Sequence, residues 1–330
     1  MAACGGNASE EPVTITLMAH DSFADAVTED TFSAFTESTG HRVEVLAAGD
    51  AGAMVNQAIL TKDNPLADAI FGIDDTFLTR AIEAGILHGY TSPLLDEVPE
   101  ALRLQESQVT PVDYGDVCLN YDKDAFINLA PPTSLDDLIK PEYRGMLVVE
   151  NPTVSSPGLA FLLATIDRFG EEGWHQYWQN LKANDVLVTS GWSEAYYGEF
   201  SGGAGEGGRP IVVSYASSPP AEVIFSETPL TEAPTAVITD GCYRQVEFVA
   251  GLSGNGIPTQ VGQLIDFMLS VDFQNTIPLT WFVFPANENA VLPEVFVAYT
   301  EIPEDPTQMD PATIEANRQR WLEEWAEVMG

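Results

Sequence analysis

The pentapeptide Gly191-Trp192-Ser193-Glu194-Ala195 has the form of a nucleophile elbow, a serine on a tight turn between a strand and a helix. Such a serine needs a histidine to take its proton, and in the α/β-hydrolase order that histidine follows the serine. The four histidines, His20, His41, His88 and His175, all precede it. A convergent triad in another order stays open, but chain order argues against a hydrolase. His20-Asp21-Ser22 holds the three residue types side by side, yet neighbours in an extended segment point to opposite faces and cannot relay a proton. That segment reads as the polar end of a loop lining a cleft.

Metal and phosphate signatures are weaker. No pair of cysteines or histidines stands at ligand spacing, and the adjacent Tyr196 and Tyr197 are expected on different sides of a helix. The glycines between 202 and 208 precede a strand and lack the Lys-Ser/Thr of a phosphate loop, so 201–208 reads as a mobile loop. Ser155-Ser156-Pro157-Gly158 opens a helix, where free N–H groups flanked by hydroxyls form a ready anion site. What remains is a set of polar and aromatic residues at strand ends: His20, Asp21, Ser22, Asp50, Asp74, Asp75, Ser155, Ser156, Trp192, Tyr215, Ser217, Ser218 and Trp281. Ligands of open α/β sheets bind beyond the carboxyl ends of strands. Carboxylates beside aromatic faces suit a flat organic cation, because ring faces attract positive charge and a carboxylate neutralises it.

The elements that must position these residues follow from periodicity. Val13, Ile15 and Leu17 alternate with threonines as a strand that runs into a loop at His20. Phe32 and Phe35 mark a helix, Val43 to Leu46 a strand, Met54 to Ile59 a helix, Ala67 to Ile73 a strand, and Phe77 to Ile82 a helix ended by Gly85. That alternation predicts a parallel sheet covered by helices. Further strands are expected at Val117 to Tyr121, Met146 to Glu150, Val186 to Thr189, Ile211 to Tyr215, Tyr243 to Ala250 and Phe282 to Phe284. Thr133 to Ile139 reads as a short capped helix. Ser156 as N-cap with Pro157 opens a helix through Phe169, and Trp174, Trp178 and Leu181 line another. Val261 to Met268 is a further helix, and Asp310-Pro311 caps a terminal one carrying Trp321 and Trp325. The tryptophans at helical spacing are expected in the core.

Composition bounds the reading further. The chain has 330 residues, 45% hydrophobic, with 50 acidic against 13 basic residues and a formal net charge of −37. That length allows two lobes. The charge repels phosphate backbones and excludes nucleic acid as a partner, and it suits solvation in a salty medium. No apolar run approaches the roughly 18 residues that span a bilayer. Met1-Ala2-Ala3-Cys4 resembles the end of a lipoprotein signal, with Cys4 as the lipidated residue, and residues 7–12 read as a polar tether.

Several stretches, taken in order, carry a family resemblance. They are Asp21-Ser22-Phe23, Gly72-Ile73-Asp74, Asp113-Tyr114-Gly115, Asn151-Pro152 through Ser156-Pro157-Gly158-Leu159, Gly191-Trp192-Ser193-Glu194-Ala195-Tyr196, Ser214-Tyr215 with Ser218-Pro219, Tyr243 with Gln245-Val246-Glu247, Phe273-Gln274-Asn275, and Trp321 with Glu324-Trp325. From Val13 to Trp325 the chain resembles the thiamine-binding proteins of ABC importers, within the two-lobed periplasmic-type solute-binding proteins. The resemblance implies two α/β lobes with central mixed sheets joined by crossover strands, the type II arrangement. Lobe 1 would comprise 13–115 and 244–298, and lobe 2 would comprise 116–243 and 299–330, after an N-terminal tether of 1–12. It further implies an extracytoplasmic monomer without cofactor or catalysis, which passes thiamine or a thiamine phosphate to permease subunits.

By the same resemblance Asp50, Trp192 and Tyr215 fall on ligand contacts, and a phosphate would sit near Ser155 and Ser156. Where relatives place aromatic residues this chain has His20, Val27 and Ala221, and Trp281 lies one place from the usual tryptophan. Cys118 and Cys242 fall on the implied crossover strands, as a bridge or as two buried thiols. Ferric ion or polyamine capture on the same fold competes with this reading, although Tyr215-Ala216 lacks the second tyrosine of ferric relatives. A thiaminase would need a reactive cysteine in the cleft, and none stands at a convincing strand end.

Overall fold

The computed structural model describes residues 11–104, 107–226 and 228–330. The candidate lipidation residue Cys4 and most of the tether lie outside them. Among the described residues ten strands form one continuous mixed sheet: β1 (Thr14–Ala19), β2 (Arg42–Ala47), β3 (Ala69–Asp74), β4 (Leu87–His88), β5 (Thr110–Asp122), β6 (Leu147–Glu150), β7 (Leu187–Thr189), β8 (Ile211–Tyr215), β9 (Thr235–Leu252) and β10 (Phe284–Pro285). The order is β2-β1-β3-β9-β5-β8-β6-β7, with β10 on β5 and β4 on β9. The neighbours β2-β1-β3 are parallel to one another, as are β8-β6-β7. The long β5 and β9 run antiparallel to each other and join these two groups. They are paired with each other from Thr110 to Asp122 of β5, so the two parallel groups are joined into one mixed sheet by crossover strands, as expected.

Helices cover both faces. α1 (Asp21–Ala26), α2 (Ser33–Thr39), α3 (Ala51–Leu60) and α4 (Leu78–Glu83) alternate with the first strands. α5 (Ser156–Ala183) is followed by α6 (Pro219–Ile224), α7 (Pro258–Leu269), α8 (Val271–Gln274), α9 (Ile277–Thr280), α10 (Glu294–Tyr299) and α11 (Pro311–Met329). One apolar cluster holds Trp174, Trp178, Trp321 and Trp325 between α5, α11 and the sheet, and a second packs α2 and α7 on β1 and β3. Each fully buried ring of this kind contributes on the order of 2–3 kcal/mol of burial.

The structure departs locally from the periodicity. Asp21-Ser22-Phe23 is helical, because His20 Nδ1 accepts from Phe23 N–H at 3.2 Å and caps α1. Thr133 to Ile139 forms successive turns, since the Asp137 carboxylate bonds the Thr133 N–H and hydroxyl and offers the backbone an alternative to a helix. The α5 cap is Ser155, one residue before the expected Ser156. α5 also absorbs the two expected helices across a kink at Gly170, whose φ is 69°. The last strand keeps only Phe284 and Pro285, because Phe282 takes a left-handed φ of 58°.

The glycine-rich 201–208 is a packed loop: Glu206 N–H bonds Tyr197 O and Gly207 N–H bonds Phe200 O, both at 2.9 Å. Any Cβ at Gly205 or Gly207 would collide with the carbonyls of Phe200 or Glu199. Between Val117 and Leu119 of β5, the β9 residues Thr239, Asp240, Gly241 and Cys242 bulge against Cys118 alone. There Cys118 and Cys242 are joined in a disulfide with their Cα atoms 4.4 Å apart.

Candidate ligand-binding cleft

A cavity of about 350 Å³ opens where the ends of β1 and β8 and the middle of β9 meet the N-termini of α3 and α5. His20 and Ser22 enter it from the β1–α1 junction, Asp50 from the N-cap of α3, and Ser156 from the first turn of α5. Trp192 comes from the turn after β7, Tyr215 and Ser218 from the end of β8, and Trp281 from the end of α9. Eight of the eleven expected ligand residues therefore meet around one space.

The other three do not line it. Asp21 lines an adjoining pocket that shares Ser22, Asp50 and Trp192 with the first, and its carboxylate accepts from Gly49 N–H at 2.8 Å. Asp74 is fully buried at the end of β3, where its Oδ1 accepts from Thr76 N–H, Thr76 hydroxyl and Phe77 N–H. Its neighbour Asp75 ties β3 to β9 by accepting from Tyr243 hydroxyl and Val246 N–H. Ser155 is buried as the α5 cap. Strand-end polar residues that turn back to bond backbone look, in sequence, like those that face a ligand.

The α5 N-terminus is also not an open anion site. Asp50 Oδ1 accepts from Ala51 N–H at 2.7 Å and Ser156 N–H at 3.3 Å, and its Oδ2 accepts from Trp192 N–H at 3.0 Å. A carboxylate of the chain itself thus takes the place expected for a phosphate. Ser156 hydroxyl in turn accepts from Gln245 Nε2 at 2.9 Å.

Residues outside the expected ligand set complete the lining: Asp25, Ser193, Tyr196, Tyr197, Glu222, Phe225, Glu247 and Phe282 among them. Tyr196 and Tyr197 both border the cavity, because Glu194–Glu199 is a π-helix whose wider turn brings adjacent rings toward one side. Trp192 stacks on Tyr196 at 4.9 Å and 20°, and its indole N–H donates to Ser214 at 3.0 Å. Trp281 meets Phe23 edge-on and donates its indole N–H to Asp113 at 3.0 Å. Phe225 faces Phe282, whose left-handed backbone costs roughly 1–2 kcal/mol and is held in place at the cavity wall. Of the positions where aromatic residues were missed, His20 and Ala221 line the cavity and Val27 packs into the core beside it. Tyr196, Tyr197, Phe225 and Phe282 supply ring faces in their stead.

The lining carries four carboxylates, Asp25, Asp50, Glu222 and Glu247, and no lysine or arginine. Glu222 accepts from Tyr196 hydroxyl at 2.6 Å. Glu247 sits in β9 opposite Asp113 of β5 and Asp74 of β3, one row of acids across three neighbouring strands. Burial, and then the charge of Glu247, push Asp113 well above the usual carboxylate range. Burial and the charge of Asp75 do the same to Asp74. His20 Nε2 stands 3.4 Å from Glu247 Oε1 without forming a hydrogen bond. Burial works against a charged His20, but Glu247, Asp50 and Asp21 outweigh it and raise the imidazole above its ordinary value. Burial and Glu247 push the Tyr215 phenol well up, so it stays protonated and donates to Gln245 at 3.3 Å. No group of three or more His, Cys, Asp or Glu among the described residues is arranged to hold a metal ion, and no helix among them is long and apolar enough to cross a membrane.

Comparison with known proteins agrees with this architecture. Residues 64–296 match the family described as bacterial extracellular solute-binding protein. The chain is 31% identical to the thiamine-binding periplasmic protein of Escherichia coli, over 88% of this chain and 85% of that one. Among solved structures it superposes on a periplasmic thiamin binding protein with a TM-score of 0.85, at 28% identity and 96% coverage of both chains. The iron-bound HitA of Pseudomonas aeruginosa superposes with a TM-score of 0.74 at 20% identity, covering 96% of this chain and 99% of that one, a likeness of fold alone.

Proposed function

Because the chain belongs to the bacterial extracellular solute-binding protein family, we propose that it captures thiamine or a thiamine phosphate in this cleft and delivers it to the permease of an ABC importer. The observation that carries the reading is the lining: aromatic faces from Trp192, Tyr215 and Trp281 around four carboxylates, with no lysine or arginine and with the one histidine, His20, turned to Glu247. A planar heteroaromatic cation gains stacking, cation–π attraction and charge neutralisation there at once. Ser22, Ser193 and Ser218 offer hydroxyls for the ligand's polar tail.

The protein works outside the cytoplasm as a binding protein and not as an enzyme. In our reading it is a monomer whose lobes, 13–115 with 244–298 and 116–243 with 299–330, close on the ligand about β5 and β9. A membrane tether through lipid on Cys4 belongs to the same reading and rests on the Met1-Ala2-Ala3-Cys4 pattern alone. Ferric capture fits the lining less well, since Tyr215 is a buried phenol without a neighbouring tyrosine on β8, and a thiaminase lacks its nucleophile because neither bridged cysteine lines the cavity. Titrating thiamine against intrinsic tryptophan fluorescence tests the proposal. Saturable quenching at micromolar ligand or below, with thiamine recovered intact by mass spectrometry, supports it; no response, or recovery of separated ring halves, refutes it.

A further inference from the structure

Four carboxylates border the cleft, and their partners differ. Asp50 is spent on three backbone N–H groups that join α3, α5 and the Trp192 turn. Glu222 takes the Tyr196 hydroxyl, and Asp25 stands exposed, where solvent screens it. Glu222 and Glu247 are equally buried, each 8% exposed, but Glu222 is taken up by the Tyr196 hydroxyl, whereas Glu247 has His20 as its only close cationic neighbour among the described residues. That neighbour is itself incomplete: His20 is 9% exposed, it lines the cavity, and its Nε2 has no hydrogen-bond partner. A buried ring nitrogen 3.4 Å from a buried carboxylate and without a hydrogen bond, both bordering one cavity, marks where a polar or charged ligand group completes the pairing.

The surroundings point the same way. Asp113, across the strand pair from Glu247, is anchored by Trp281 N–H, so the indole and the carboxylate are fixed through adjacent strands. Taking thiamine capture as given, we propose that Glu247 is the counter-ion that selects the ligand's fixed positive charge, with His20 holding it in position and offering Nε2 beside it. Selection for a cation then comes from one residue of β9, while Asp50 organises the cleft wall without neutralising the ligand.

Calorimetry of the wild type and Glu247→Gln decides the matter, with thiamine and a neutral analogue in which carbon replaces the thiazolium nitrogen. At an effective dielectric near 20 and a separation of about 5 Å, the pair favours the cation on the order of 100-fold in the wild type. Glu247→Gln should shrink that preference to within about threefold, and Glu247→Asp should restore part of it. A lost stacking surface or a loosened fold would weaken both ligands together and leave their ratio unchanged, which overturns the proposal. Should Glu247→Gln fail to fold, the wild type still tests the claim, because equal affinity for thiamine and its neutral analogue refutes it. Absence of any heat with thiamine would instead remove the functional reading, and this proposal with it.

Discussion

Asp50 separates two roles that a single carboxylate can play. It caps α3 through Ala51 N–H and also reaches across the cleft to Ser156 and Trp192 N–H. The cap contributes about 1 kcal/mol of stability, and each charge-assisted bond contributes about 1.5–3 kcal/mol. Asp50 is half-buried, so the low end applies, and the two cross-cleft bonds together contribute about 3 kcal/mol. If these bonds form only as the lobes close, that energy belongs to ligand affinity and not to the fold. Asp50→Ser keeps a good N-cap but is too short to cross the cleft, so its urea midpoint should stay close to wild type while thiamine affinity falls on the order of 100-fold. Asp50→Ala should add the loss of the cap, about 1 kcal/mol in the same unfolding assay. Wild-type affinity in Asp50→Ser, or a loss of stability equal to its loss of affinity, would refute the reasoning.

Three further expectations can be checked with the same protein. Trp192→Ala and Tyr215→Ala should each weaken thiamine binding by about 1–3 kcal/mol, read by calorimetry, and unchanged affinity in both would remove the proposed site. The Cys118–Cys242 bridge spans a sequence separation of 124, so the Cys118→Ala/Cys242→Ala variant should lose about 4–5 kcal/mol in urea unfolding on the chain-entropy account, and alkylation of both thiols in unreduced, unfolded wild type would contradict it. Burial pushes Asp75 up to about 7, and Asp74, Asp113 and Glu150 are raised as well, chiefly by burial. The folded state therefore binds more protons than the unfolded one between about pH 4 and 7, and stability falls as pH rises through that window. The urea midpoint should be higher at pH 5.5 than at pH 8, with Asp75→Asn flattening the slope; a midpoint that rises with pH would count against the buried acids.

Much of the scaffold was legible because its signal is local. β1 alternates, β3 is apolar from Ala69 to Ile73, and the four tryptophans of α5 and α11 sit at helical spacing and are buried. Thr133 to Ile139 misled because Asp137 bonds backbone that a helix would have used, a competition that periodicity does not register. In the cleft, strand-end residues such as His20, Trp192 and Tyr215 were legible from the rule that α/β sheets bind at carboxyl ends. Asp74 and Ser155 obey the same rule in sequence and were lost to backbone capping. Glu247 lies within β9 between Val246 and Phe248, away from a strand end, and the resemblance marked its stretch without giving it a ligand role. Tyr196 and Tyr197 depended on a π-helical turn that nothing in their spacing announces.

The central claim is that this cleft holds a thiamine-type cation, and one set of calorimetric titrations tests it most directly. Thiamine, thiamine monophosphate, spermidine and Fe(III) should be titrated into the same preparation. The account predicts one site per chain with micromolar or tighter affinity for thiamine or its phosphate, and no saturable heat from Fe(III) or spermidine. Saturable binding of Fe(III) or spermidine with thiamine silent would contradict it.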